Sequence, residues 1–222
     1  MATKLEKILK LAHGTNGRQN VVRMLWVGNL SDMSMYIAFE RYGFSLHDLF
    51  AFYNDEVQPE NTKTAAFLSE VKTKIPQLGN NGGFSSEFMC VIRDTIKGVS
   101  ELHELNILHQ QLHLEHILVT LDGRLRVKIN GFSKSTHVPG DEKLESLAPG
   151  TIEGQRLLLD LSQLGWLLFH CFTFGEHISN RFLQESDLHF PLLCHMNYYI
   201  LIRNSFSSIC HREGQILMPI HL

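Results

Sequence analysis

Four cysteines, Cys90, Cys171, Cys194 and Cys210, are all that the 222 residues contain, and no two form a C-x-x-C pair. Such wide spacing argues against a disulfide framework and points to reduced thiols in a cytosolic setting. Long apolar runs are missing too. The longest, Leu164 to Phe174, is too short for a bilayer and carries His170, so it suits a buried helix. Met1 to Leu11 is amphipathic and lysine-rich rather than continuously apolar, which is not the pattern of a signal peptide. Nor is charge of one sign in excess: a net charge of -3 and a pI near 6.5 leave no electrostatic footprint for nucleic acid. No internal repeat or sustained low-complexity segment is visible. What remains is ordinary for a globular chain, with 44% hydrophobic and 19% charged residues, enough for one sizeable core.

Periodicity divides the chain into elements. Leu5, Ile8, Leu9 and Ala12 share one face of a helix over Ala2–Ala12, and Glu6 reads as a solvated carboxylate on its surface. Two extended runs follow, Val21–Gly28 and Met33–Tyr42, separated by the turn-type cluster Asn29-Leu30-Ser31-Asp32. Ser45 stands before Leu46–Phe50 as an N-cap stands before a short helix. Asn54–Gly83 is polar, with one helix over Lys63–Lys74 broken by Pro76; a solvated loop is one reading of it. Ser85 or Ser86 then caps a helix whose Phe88, Val91, Ile92, Ile96, Val99 and Leu102 form an apolar stripe. That helix ends at Asn106, a residue that tolerates the left-handed conformation often needed past a helix end. Ile117–Thr120 and Leu125–Ile129 are short strands joined at Asp122-Gly123, a hairpin signal. A last helix spans Asp160–Gly175.

The organising stretch is Glu101–Lys134, ELHELNILHQQLHLEHILVTLDGRLRVKINGFSK, where a helix end, a loop of histidines and glutamines and a strand pair follow one another. It resembles the catalytic loop of a protein kinase. With DLSQLGWLLFHCFTFG from Asp160, it is similar to the kinase domain of the inositol-requiring endoplasmic-reticulum stress sensor, a kinase/endoribonuclease, particularly in its plant form, which carries a polar insertion at the place of Asn54–Gly83. The resemblance covers residues 2–188 and implies an α+β, protein-kinase-like fold. Residues 2–42 would be a remnant N-lobe of helix C and two strands, and 43–188 a mainly helical C-lobe with the insertion at 54–83. Residues 189–222 form a tail without assignment. Only Met1 precedes the first helix, so the glycine-rich loop and the strand-three lysine are expected to be missing and the N-lobe truncated.

In kinases the motif H-R-D-L-x-x-x-N supplies a proton-accepting Asp and a magnesium-holding Asn, and the Asp of D-F-G holds magnesium at the phosphates. In this chain His109 keeps the first position and Phe132 the middle of the second motif. Gln110 stands for the Arg, Gln111 for the Asp, His113 for the usual Lys, His116 for the Asn, and Gly131 for the D-F-G Asp. A Gln amide has no basic site of useful pKa. Magnesium takes oxygen ligands, which an imidazole and a glycine hydrogen do not offer. The resemblance also implies structural roles for His109, Phe132 and Asp160, the last tying down the loop backbone rather than acting as an ordinary first-turn carboxylate. Phe39 would be the gatekeeper, and Glu40 to Tyr42 the hinge that meets adenine through its main chain. His103, His109, His113 and His116 cluster in sequence but fit no tight zinc pattern, so no metal is expected.

The expectation is a catalytically impaired kinase-like protein, a pseudokinase, acting by binding. It would hold no cofactor beyond weakly bound ATP and no nucleic acid. Its partner would be an intact kinase domain of the same family or a second copy of itself. It would sit in the cytoplasm, at the endoplasmic-reticulum surface where a partner brings it there. A kinase with residual ATP binding and a decayed gene product without function are the alternatives that the residues leave open. After Lys134 the chain reads as short and polar, and Ala148-Pro149-Gly150 does not serve as the A-P-E signature, so the peptide-substrate platform is expected to be absent.

Overall fold

Helix α1, Lys4–His13, buries Ile8, Leu9 and Ala12 on one side, as the apolar spacing predicts. Glu6 is not simply solvated: its carboxylate is largely covered and pairs with Lys10 Nζ at 2.6 Å. The computed structural model describes residues 4–13, 19–31, 34–54, 56, 62–79, 83–121, 125–140 and 143–172. Inter-residue contacts divide the chain after His177, and every described residue lies in the first unit, Met1–His177. The Asp122-Gly123 turn and the tail 189–222 lie outside the described residues.

Strands β1 (Met24–Ser31) and β2 (Ser34–Phe39) pair antiparallel, with Trp26 opposite Ala38 and Gly28 opposite Tyr36. The expected strand from Val21 is divided. Val21 bridges in parallel to Ile129 and the Val22 N–H donates to the Ile129 carbonyl at 3.0 Å, so both valines are buried away from β1. The expected turn cluster also shifts, because Asn29 to Ser31 continue β1 up to the Ser31–Ser34 pair. Outward from this sheet, Leu25, Trp26 and Tyr36 are 57%, 52% and 49% exposed.

Strand β3 (Phe44–Ser45) leads into α2 (Leu46–Tyr53). Ser45 and Asp48 form a complete capping box: the Asp48 N–H donates to Ser45 Oγ at 3.1 Å, and the Ser45 N–H donates to the Asp48 carboxylate at 2.8 Å. Helix α3, Thr62–Lys74, is packed rather than solvated. Val71 and Ile75 are fully buried, and the Phe67 ring lies 5.7 Å from Phe44 and 6.2 Å from Phe52. The polar insertion therefore contributes to the core.

Helix α4, Ser86–His103, carries that core. Ser85 is its cap, with Oγ accepting from the Phe88 N–H at 3.0 Å. Phe88, Val91, Ile92, Val99 and Leu102 are buried along one stripe. Gly98 lets the chain approach closely, since a Cβ there would meet the Asn20 carbonyl at 2.7 Å and the Ile129 side chain. Beyond α4, Asn106 takes a left-handed φ of 54. Strands β4 (Ile107–Leu108), β5 (Ile117–Thr120) and β6 (Arg126–Ile129) follow, with β5 between β3 and β6 in an antiparallel sheet. Strand β7, Thr136–His137, returns to pair with β4.

The stretch after Lys134 is more structured than the sequence suggests. Val138 and Leu144 bury themselves against Leu108, with Leu147 and Leu157 alongside. Helix α5 also begins earlier than expected, spanning Ile152–Phe172 and taking in Gly154, Gln155 and Arg156. Thr151 caps this earlier start, its Oγ1 accepting from the Gly154 N–H at 3.0 Å, and Gly154 is buried in the added turn. Asp160 is thereby an interior helical residue, which removes the first-turn reading. No helix among the described residues is long and apolar enough to cross a membrane.

Candidate functional site

The loop between β4 and β5 is fixed from below by one carboxylate. Asp160, fully buried on α5, accepts from the backbone N–H groups of His109, at 2.6 Å, and of Gln110. His103, one of the four clustered histidines, also donates from Nε2 to Asp160 at 3.1 Å. Three donors converge on a carboxylate that could not be buried without them. Gln163 adds a fourth hold, accepting from the Leu112 N–H at 2.8 Å through Oε1. It stands three positions after Asp160, so helical spacing places both on one face. That spacing was the available signal for it.

Within the loop, His109 has no exposed surface. Its Nδ1 accepts from the Gln111 N–H at 3.3 Å and its Nε2 faces the Asn130 carbonyl at 2.7 Å. This network assigns the neutral tautomer with the proton on Nε2. Burial pushes the imidazole pKa down to about 4, against smaller upward pulls from the Asn130 bond and the Asp160 charge. The Phe132 ring closes on His109 with centroids 5.2 Å apart.

Gln111, His116 and Gly131 meet at the other end of the loop. The His116 Nδ1–H donates to the Gln111 carbonyl at 2.7 Å, and the Ser133 hydroxyl donates to Gln111 Oε1 at 3.0 Å. Gly131 has a φ of 85, and a Cβ built there would run into Cγ, Cδ2 and Nδ1 of the His116 ring. The imidazole thus fills the space into which a side chain at 131 would project. His113 lies against His116, with ring centroids 3.9 Å apart and planes tilted by 35°. Burial, followed by the His116 charge, lowers the His113 pKa. Among the described residues no group of three or more His, Cys, Asp or Glu could hold a metal ion. The residues at these three positions do not fit magnesium: one offers a ring, one an amide already bonded, and one no side chain.

The residues expected at the hinge are held by Arg23. Phe39 closes β2 opposite Met24, and the exposed Glu40 donates its N–H to the Arg23 carbonyl at 3.0 Å. Tyr42 is half-buried, its hydroxyl accepting from the Arg23 N–H at 3.1 Å, and burial raises its pKa. The segment ahead of β1 is pinned by Asn20, whose N–H donates to the buried Glu101 carboxylate at 3.1 Å and whose Nδ2 donates to the Val127 carbonyl at 3.2 Å. Sequence reading missed this pair, because a buried Glu on a helix looks like any surface carboxylate until its partner is known.

No protein-family model matches the chain. Three comparisons carry the assignment. The serine/threonine-protein kinase/endoribonuclease IRE1 of Oryza sativa subsp. japonica is 32% identical over 214 residues, covering 90% of this chain and 22% of the rice protein. IRE1a of Arabidopsis thaliana is 28% identical over 185 residues, covering 71% of this chain and 22% of that protein. A crystal structure of the yeast RNA Pol II CTD kinase CTDK-1 complex superposes with a TM-score of 0.50 at 20% identity, covering 78% of this chain and 51% of the other. The last comparison speaks for the fold alone. The chain spans about a fifth of the length of the plant relatives, 22% of each, so the activities in their names are said of those proteins. Fold, loop and the two plant sequences agree: the chain carries a protein-kinase-like domain of the IRE1 family.

Proposed function

We propose that this chain is a kinase-fold binding or regulatory module, a pseudokinase related to the stress-sensor kinases, that does not transfer phosphate. One observation carries the reading: the His116 imidazole lies over the Cα of Gly131, where the kinase motif requires two metal-holding side chains. Phosphoryl transfer rests on positioning and on neutralising phosphate charge, so without the ion the largest electrostatic contribution is lost. Gln111, at the base position, has an amide that cannot take a substrate proton and is bonded to Ser133. A nucleotide would be met by the main chain of Glu40 to Tyr42, with weak affinity and no need for magnesium. The exposed Leu25, Trp26 and Tyr36 support a partner, either an intact kinase domain of the family or a second copy. Such a module acts in the cytoplasm, or at the endoplasmic-reticulum surface through its partner. The test is incubation of the purified protein with labelled ATP and magnesium. The expected result is no phosphorylation above a buffer control, and a signal abolished by Gln111→Ala would overturn the reading.

A further inference from the structure

We infer that His116 and Gly131 are one coupled replacement, in which the ring took over the space of the missing carboxylate, so that a cation site returns only when both are changed together. The inference rests on the reading that the loop holds no magnesium, and it deepens that reading. Its ground is steric and directional. A Cβ at 131 would overlap three ring atoms at the root of the imidazole, Cγ, Cδ2 and Nδ1, not a far end that could swing a little. The ring is also held in place: Nδ1–H donates to the Gln111 carbonyl at 2.7 Å, and His113 lies against its face at 3.9 Å between centroids. A side chain at 131 therefore evicts the ring and breaks that bond. His116→Asn alone frees the volume but leaves no carboxylate, and Gly131→Asp alone supplies a carboxylate that collides with the ring. Only the pair offers oxygen ligands from both sides of the loop, as a hard divalent ion requires.

Four proteins test this: the unsubstituted chain, Gly131→Asp, His116→Asn and the double variant, compared by urea unfolding and by electron paramagnetic resonance titration with Mn2+ alone. Position 131 has a left-handed φ, so some cost of Gly131→Asp appears in either background. The expected cycle is non-additive: Gly131→Asp lowers the folding constant at least tenfold more with His at 116 than with Asn there. The double variant should bind Mn2+ at least tenfold more tightly than either single variant. Should Gly131→Asp fail to fold, Gly131→Ala, which adds only the Cβ, carries the same cycle. Additive costs, or Mn2+ binding by Gly131→Asp equal to that of the double variant, would overturn the coupling. Mn2+ uptake by the unsubstituted chain together with an additive cycle would overturn both the coupling and the proposed function, whereas an additive cycle without uptake overturns the coupling alone.

Discussion

Gln110 donates from its side-chain Nε2 to the Thr136 hydroxyl at 2.7 Å and to the Lys134 carbonyl at 3.2 Å. The residue itself has a left-handed φ of 62, uncommon outside glycine, and is held there by Asp160. A neutral amide therefore fastens the segment from Lys134 to Thr136 onto the loop. Gln110→Ala should loosen that segment by about 1–2 kcal/mol, the worth of two neutral hydrogen bonds. Amide hydrogen exchange at Thr136 and His137 should quicken roughly tenfold, while helix α4 exchanges as before. Unchanged exchange at those two amides would show that the Gln110 side chain does not hold the segment.

Asp160 should be a large stability determinant. Asp160→Ala leaves the N–H groups of His109 and Gln110 buried without an acceptor and should cost about 3–5 kcal/mol in urea unfolding. Asp160→Asn keeps one acceptor oxygen and should cost roughly half as much. A loss below about 1 kcal/mol for the alanine variant would contradict the anchoring role.

His109 gives the fold a pH dependence of known sign. Its pKa is lowered from 6.5 to about 4 by burial, so between those values the unfolded chain binds the proton and the folded one does not. The stability from neutral His109 is complete above 6.5 and is lost as pH falls through that window. Its share is roughly 3 kcal/mol by the pKa difference. His109→Phe, which cannot titrate, should lower stability at neutral pH and flatten the slope from pH 6.5 to 4. Parallel curves for the two proteins would exclude His109 as the source.

Much of the fold was legible because its signals are local. The Ser45 and Ser85 caps, the α4 stripe and Asn106 each depend on residues within a turn or two of themselves. What was not legible depends on distant partners. Val21 and Val22 read as the start of a strand, yet burial against β6 takes them elsewhere. The loop motifs give the identities of Gln111, His116 and Gly131, but nothing in a His and a Gly far apart says that one fills the space of the other. The partnership of Asn20 with Glu101 is hidden for the same reason.

The outer face of the β1–β2 sheet should mediate association. Leu25 and Trp26 are more than half exposed, so Leu25→Ser with Trp26→Ser should leave the monomer folded. Sedimentation at micromolar concentration should show the unsubstituted protein self-associating and the double variant monomeric. Adding an intact kinase domain of the family should raise the melting temperature of the unsubstituted chain in a concentration-dependent way. Identical sedimentation of the two proteins would remove this face as an interface.

We propose that the loop keeps the kinase frame while Gln111, His116 and Gly131 provide neither base nor metal ligands. Calorimetric titration of ATP with and without magnesium tests it without relying on turnover. Weak binding with the same dissociation constant in both buffers is expected. A magnesium-dependent tightening of tenfold or more, about 1.4 kcal/mol, would show that this loop holds the ion after all.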